Sequence, residues 1–178
     1  MTNLSRMAAL GAALASMAFV AAPASAAPVG VTGVKPEAKA RIIKPLTLKS
    51  VRGLDFGTIV MGAVAAGGET VSLSAAGVRS CGAGGLTCDP STPGATARFN
   101  VTGTQGQVIK VSSPTPTVKL TGSNGGELTF TYAFPPNFTM SNSGTIGDNF
   151  DVGGSITIVP ATVDGVYAGE IDVQVDYL

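Results

Sequence analysis

The stretch that decides the fold is YAGEIDVQVDYL, residues 167–178, which closes the sequence. Apolar side chains stand at alternate positions of this stretch, with one glycine among them, and polar side chains fill the positions between. The apolar row is Tyr167, Ile171, Val173, Val175 and Tyr177, and the polar row is Glu170, Asp172, Gln174 and Asp176. Strict alternation predicts a β-strand with one buried face. Domains usually finish on a few loose polar residues, so we expect something to cover this strand.

The rest of the chain has the composition of an all-β protein. It contains 24 Gly and no Trp, and Val, Ile and Thr recur in short alternating runs between turn residues. Eight or nine such runs at a spacing of roughly ten residues predict a single β-sandwich domain without helices. The clearest runs before the terminal one are LDFGTIV, ETVSLSAAG, ARFNVTGT, QVIKVSSP, TVKLTGS, ELTFTYAF and SITIVPA.

The first 26 residues read as a secretory signal peptide. Arg6 precedes the apolar run MAALGAALASMAFVA, and small residues at Ala24 and Ala26 form a cleavage site. No later segment approaches the roughly 20 apolar residues of a membrane-spanning helix, so we expect no transmembrane segment in the mature chain. Without Arg6, 10 of the 11 basic residues remain against 11 acidic ones, and His is absent. This balance gives no indication of a nucleic-acid partner.

We divide the mature chain into an N-terminal arm, residues 27–44, and a β-sandwich domain, residues 45–178. Pro45 interrupts the strand pattern at the boundary, because proline is tolerated mainly at edges and bulges. Charge differs between the two ends of the mature chain. Six of the seven charged residues from 35 to 52 are basic, whereas no basic residue follows Lys119. The two ends should therefore attract each other, either as neighbouring strands of one sandwich or between two copies of the protein.

The two cysteines predict one disulfide. Cys81 and Cys88 lie seven positions apart in a chain bound for an oxidising compartment. Their spacing, without partner cysteines or histidines, does not fit a zinc or redox site. We therefore expect a structural staple.

The sequence offers little for catalysis. Without His, neither a Ser-His-Asp nor a Cys-His arrangement can form. Asp148 and Asp151 in GDNFDVGG are the nearest candidates for a carboxylate pair or a calcium loop, but Asp and Asn beside Gly are ordinary turn residues. We predict a protein that is not an enzyme, with no catalytic residue, cofactor or metal.

The terminal strand also resembles the C-terminal signature of chaperone-usher pilus subunits. Counted back from Leu178 as the first residue, Tyr177 is penultimate and Gly165 is fourteenth, with alternating apolar side chains between them. Over most of the mature chain, ARIIKPLTL, LDFGTIVMG, ARFNVTG and FDVGGSITI are similar to a group of secreted bacterial, pilin-like proteins. The resemblance implies an incomplete immunoglobulin-like β-sandwich that lacks its final strand. It implies an open groove along Gly165, Tyr167, Ile171, Val173, Val175 and Tyr177.

In that family a periplasmic chaperone lends the missing strand, and an N-terminal donor strand of the next subunit replaces it at the outer-membrane usher. By resemblance, the donor residues here are Val29, Val31, Val34, Ala38, Ala40 and Ile42. The implied function is a structural subunit of an extracellular pilus or fimbria on the cell surface, serving adhesion or biofilm formation. Its partners are then other copies of itself or related subunits, the chaperone and the usher. Residues 38–42 fit equally well as the first strand of the domain itself.

Two other functions stay open at this stage. A complete secreted β-sandwich that binds a surface ligand or glycan predicts a stable monomer whose N-terminal arm is dispensable. An enzyme that uses carboxylates predicts loss of activity, without loss of folding, on replacing Asp148 or Asp151.

Overall fold

The computed structural model describes residues 27–82 and 84–178. The predicted signal peptide, residues 1–26, lies outside the described residues. Within them the chain has no helix, and its strands pair antiparallel in three sheets. This confirms the all-β prediction and is consistent with a β-sandwich. The described ranges accordingly offer no helix long and apolar enough to cross a membrane.

The chain divides into two units, Met1–Ala40 and Arg41–Leu178. In the first unit, residues 27–40 contain no strand and every side chain is exposed. Lys39 Nζ lies 3.1 Å from Glu37 Oε2 there. The described part of the second unit contains thirteen strands. They are β1 (Thr47–Arg52), β2 (Ile59–Met61), β3 (Glu69–Leu73), β4 (Arg79–Cys81), β5 (Leu86–Cys88), β6 (Ala97–Thr102), β7 (Val108–Ser112), β8 (Thr117–Gly122), β9 (Glu127–Ala133), β10 (Phe138–Thr139), β11 (Asp148–Ile158), β12 (Tyr167–Ala168) and β13 (Gln174–Tyr177).

Eight strands form the largest sheet. Six of them follow the order β1-β6-β11-β9-β8-β12, and β3 pairs with both β11 and β4. A second sheet has the order β10-β7-β13, and a third consists of β2 and β5. The end of the chain therefore pairs within two different sheets.

Strand β11 changes partner in its middle, at two adjacent glycines. Residues Asp148–Val152 pair with β6, whereas Gly153–Ile156 pair with β9 and Gly154–Ile158 pair with β3. A Cβ atom at Gly153 would collide with the carbonyl oxygen of Leu73, and one at Gly154 would collide with the ring of Phe130. Glycine lets the neighbouring main chain approach this closely, as is typical where strands bend.

Two clusters of buried side chains form the core. The first contains Phe56, Val71, Leu73, Leu86, Leu128, Phe130, Ile156 and Ile158. The second contains Ala97, Phe99, Val101, Ile109, Val111, Met140, Phe150 and Val152. Each large side chain in these clusters contributes about 1.5–3 kcal/mol on burial.

The disulfide joins two short strands. Cys81 on β4 and Cys88 on β5 form the predicted bond, with Cα atoms 5.8 Å apart. Because β4 pairs with β3 and β5 pairs with β2, the bond links the largest sheet to the two-stranded one.

The strand count and two boundaries differ from the sequence prediction. Thirteen strands replace the expected eight or nine, because several turns carry strands of only two or three residues. The LDFGTIV run is not one strand: Gly57 has a φ of +71°, and strand pairing is limited to a bridge at Asp55 and to β2. The terminal run divides into β12 and β13, because its two ends pair with β8 and β7.

Candidate functional site: an open groove between two edges

The predicted terminal strand forms one side of a groove. We call residues 162–177 the C-terminal wall. From Tyr167 to Tyr177 its odd positions are half-buried, except the exposed Gly169, and the even positions between them are exposed. By comparison, the inward side chains of the interior strand β6 are buried, and so are Leu128 and Phe130 on β9. The inward row of this wall is therefore only half covered.

The beginning of the C-terminal wall is held by the turn between β8 and β9. The Ser123 amide donates to the Val166 carbonyl at 2.9 Å, and the Val166 amide donates to Ser123 Oγ at 3.1 Å. Tyr167 Oη donates to the Val163 carbonyl at 2.6 Å. Gly165 lies in this segment, is exposed, and leads into the strand. These bonds fix the wall without using the edge that faces the groove.

Residues 46–61, which we call the N-terminal wall, form the opposite side. Leu46 and Leu48 are half-buried against the second core cluster, and Phe56 belongs to the first. Within the described residues β1 pairs only with β6, so its other edge is open. The Arg79 guanidinium fastens the far part of this wall, because it donates to the carbonyls of Phe56 and Thr92 at 2.8 Å and of Asp89 at 2.6 Å.

A cavity of about 790 Å³ lies between the two walls. Its volume falls in the range of pockets that enclose a ligand. Apolar side chains of β8, β9 and β11 form its floor: Leu120, Leu128, Phe130, Ile156 and Ile158. Residues 53–59 and 162–169 form its sides. The cavity therefore borders the first core cluster, whose side chains stay buried, whereas Leu120 on its floor is half-buried.

Tyr177 closes the other end of the groove. Its Oη accepts a hydrogen bond from the Thr104 amide and donates one to the Lys44 carbonyl, both at 2.8 Å. The Lys44 amide donates to Thr104 Oγ1 at 2.7 Å. A Cβ atom at Gly103 would contact both Tyr177 and Leu46, so the walls meet there. Away from this closed end, residue numbers increase along the N-terminal wall and decrease along the C-terminal wall. The two walls therefore run antiparallel.

The structure brings the predicted groove residues onto one wall and leaves the predicted donor residues exposed. Val29, Val34 and Ile42 are more than 90% exposed, and Val31, Ala38 and Ala40 are exposed as well. Lys44, which the sequence placed in the arm, is hydrogen-bonded to Thr104 within the second unit.

The two candidate catalytic carboxylates are engaged in structural contacts. Asp148 accepts hydrogen bonds from the amides and side chains of Ser141 and Asn142 at 2.7–3.1 Å. Burial raises the pKa of Asp148, but these hydrogen bonds outweigh it and hold the pKa below 3.8. Both oxygens of Asp151 accept bonds from Arg98, at 2.9 and 2.7 Å. The described residues contain no group of three or more His, Cys, Asp or Glu side chains arranged around a metal position.

We predict that Asp151→Asn lowers the free energy of unfolding at pH 7 by about 2 kcal/mol, because charge-assisted hydrogen bonds are lost. The hydrogen bond from Arg98 lowers the pKa of Asp151 below 3.8, with Arg52 adding to the effect. A lowered carboxyl pKa stabilises the folded state above the unfolded pKa, and this stabilisation is lost as the pH falls through the folded pKa.

Urea unfolding at pH 7 and at pH 2.5 measures this effect. The difference between Asp151→Asn and the unmodified chain should be smaller at pH 2.5 than at pH 7. The exposed Asp164→Asn variant is the control and should change stability little. An equal loss at both pH values would contradict an electrostatic role for Asp151.

Sequence reasoning missed the N-terminal wall and the floor of the cavity. The apolar pattern of Leu46, Leu48, Leu54 and Phe56 carried a signal, since all four fall on even positions. That pattern alone does not show that this edge faces the C-terminal wall. The contacts of Arg79 carry no local signal, because its three acceptors are main-chain carbonyls 10 to 23 positions away.

A family described as "Domain of unknown function (DUF4402)" matches residues 46–177, a range that contains both walls and all thirteen strands of the described residues. No curated protein and no solved structure matches the chain.

Proposed function

Since the chain belongs to the DUF4402 family, whose description assigns no activity, we propose its function from its own groove: it is a structural subunit of an extracellular pilus or fimbria. The groove accepts a β-strand donated by another copy of the protein or by a related subunit. The N-terminal arm of each copy is the donor.

One observation carries this proposal. The C-terminal wall has a regular apolar row that is only half covered, and its residues 162–171 border an apolar cavity whose other side is formed by residues 53–61. Nearer the closed end, the strand β1 of the N-terminal wall has an open edge within the described residues. A strand laid between these edges would bond to both main chains and place alternate side chains on the floor. This is β-strand addition, in which main-chain bonds supply affinity and side-chain pockets supply specificity.

In this proposal the fold is an incomplete immunoglobulin-like sandwich. An exposed apolar edge promotes aggregation unless a partner covers it. We propose that a periplasmic chaperone covers the groove after export and that an outer-membrane usher exchanges it for the arm of the next subunit. Because donor and acceptor surfaces differ, the contact does not close on itself, and repetition gives a filament on the cell surface.

The test is to supply the strand within the same chain. We expect that fusing residues 27–43 after Leu178 through a short Gly-Ser linker raises the melting temperature of the mature chain by about 15 °C. Several apolar side chains become buried, and for a domain of this size each net kcal/mol shifts the midpoint by roughly 2–4 °C or more.

The matched control is the same fusion carrying Ala38→Asp and Ala40→Asp, which should not raise the midpoint. If both fusions melt at the temperature of the unmodified chain, the sandwich is already complete. The protein is then better described as a secreted β-sandwich that binds a surface ligand or glycan.

A further inference from the structure

Two rows of charged side chains, one on the arm and one on the C-terminal wall, have the same spacing. From Val34 to Ile42 the even positions of the arm are apolar or proline. The odd positions between them carry Lys35, Glu37, Lys39 and Arg41. On the C-terminal wall the exposed even positions carry Glu170, Asp172, Gln174 and Asp176. The row on the arm therefore has three basic residues and one acidic residue, Glu37. The row on the wall has three acidic residues and one neutral residue, Gln174.

We propose that the arm of one copy lies antiparallel to the C-terminal wall of the next, in the register that matches these two rows charge by charge. This inference rests on the proposed function. The register sets three basic residues opposite three acidic ones and sets Glu37 opposite the neutral Gln174. The charged pairs are Arg41 with Glu170, Lys39 with Asp172, and Lys35 with Asp176. Directly opposite unlike charges stabilise neighbouring strands, and like charges destabilise them.

The parallel alternative matches poorly. Running the arm in the opposite direction with Lys35 beside Glu170 sets Glu37 against Asp172. It also leaves Lys39 beside the neutral Gln174. One attraction is thereby lost and one repulsion is gained, so charge alone favours the antiparallel direction.

The inward side chains agree with the same register. It sets Ile42, the largest apolar side chain of this run, opposite Gly169, which borders the cavity of about 790 Å³. The small Ala38 and Ala40 lie opposite Val173 and Ile171. At these three positions large side chains meet small ones, which favours close packing, whereas Pro36 and Val34 lie opposite Val175 and Tyr177. Val29 and Val31 fall on odd positions before Gly33 and lie outside this register.

The N-terminal wall offers a basic partner for Glu37, the one acidic residue of the arm. Because the two walls run antiparallel, an arm antiparallel to the C-terminal wall runs parallel to β1. With Val34 at the closed end near Leu46, Glu37 lies close to Lys49. Lys49 is an exposed residue of β1, so its charge is available to an incoming strand.

The carboxylates in the middle of the C-terminal wall are available for pairing with an incoming strand. Glu170 and Asp172 lie between β12 and β13, where the chain belongs to no strand, and within the described residues neither forms an ion pair. Asp176 differs, because Lys110 already stands opposite it on β7. We therefore expect Glu170 and Asp172 to contribute more selectivity than Asp176.

Exchanging two charges within the arm distinguishes the antiparallel register from the parallel one. Labelled synthetic peptides of residues 27–43 are titrated into the mature chain at low salt, and binding is followed by fluorescence anisotropy. One peptide has the natural sequence, and the second carries Glu37→Lys with Lys39→Glu, so composition and net charge are the same. The antiparallel register predicts about fivefold weaker binding of the second peptide, because a repulsion replaces an attraction at Asp172. Salt at 0.5 M should reduce the difference.

Each possible result of this titration either supports or overturns the inference. Restored binding of the exchanged peptide to a chain carrying Asp172→Lys supports the register, since that variant reverses the sign at one exposed position. Tighter binding of the exchanged peptide to the unmodified chain indicates the parallel direction and overturns the inference. Equal binding of both peptides overturns the charge register but leaves strand acceptance standing. Binding of neither peptide overturns the proposed function, and the register with it.

Discussion

Replacing Val175 with aspartate should weaken binding of the natural 27–43 peptide at least about 100-fold. Val175 belongs to the inward row of the C-terminal wall and is half-buried. Val175 packs against the second core cluster but keeps part of its surface exposed, so an aspartate there retains contact with water and costs some folding stability. Once a strand covers the row, the carboxylate is enclosed among apolar side chains, and a further penalty of several kcal/mol falls on binding.

Two control variants make this result specific. Val175→Thr keeps the shape of the side chain and should bind the peptide within a few-fold of the unmodified chain. Gln174→Asp adds the same charge on the exposed face, opposite Glu37 in the proposed register, and should weaken binding only a few-fold, because a repulsion between exposed charges costs little. Circular dichroism should show that all three variants fold. In cells, Val175→Asp and Tyr177→Ala should lower the amount of exported protein, and normal export of both would contradict chaperone capture.

Replacing Gly153 with alanine should destabilise the domain by about 3 kcal/mol or more and leave little folded protein. The Cβ atom would collide with the Leu73 carbonyl and with the main chain of Ser74 and Ala75. These atoms belong to β3 and the turn after it, so no flexible side chain can move aside. Overpacking of this kind forces a backbone shift in the middle of the largest sheet.

Gly67→Ala is the matched control, because a Cβ atom there meets nothing within 4 Å. Thermal unfolding should show a near-natural midpoint for Gly67→Ala and a large drop for Gly153→Ala. Equal midpoints would mean that β11 does not need its glycine junction.

The local alternation of apolar and polar residues predicted the strands that turn one face to the core. In β6, β7 and β9 the alternating apolar positions are the buried ones. The same pattern located the half-buried row of the C-terminal wall. Side-chain periodicity is a property of each strand by itself, so these features can be read without knowing the fold.

Pairing between distant segments could not be read in this way. FDVGGSITI contains both the glycine junction and the strand around it, but nothing local shows that β11 exchanges β6 for β9 and β3 at this junction. The N-terminal wall was hidden for a related reason. The backbone conformation of Gly57 breaks the apparent LDFGTIV strand, and the Arg79 bonds that fix this wall depend on a contact between remote segments.

The bonds that hold Lys44 at the closed end of the groove have a mechanical consequence for a filament. Lys44 is tied to Thr104 and Tyr177 of its own domain. In the proposed register, Ile42 is already paired with the neighbouring subunit. Ile43 is then the single residue between two folded domains, and a joint of one residue allows little pivoting. Such a filament would resist bending like a rod, and a pulling force would pass along the main chain from one subunit into the next.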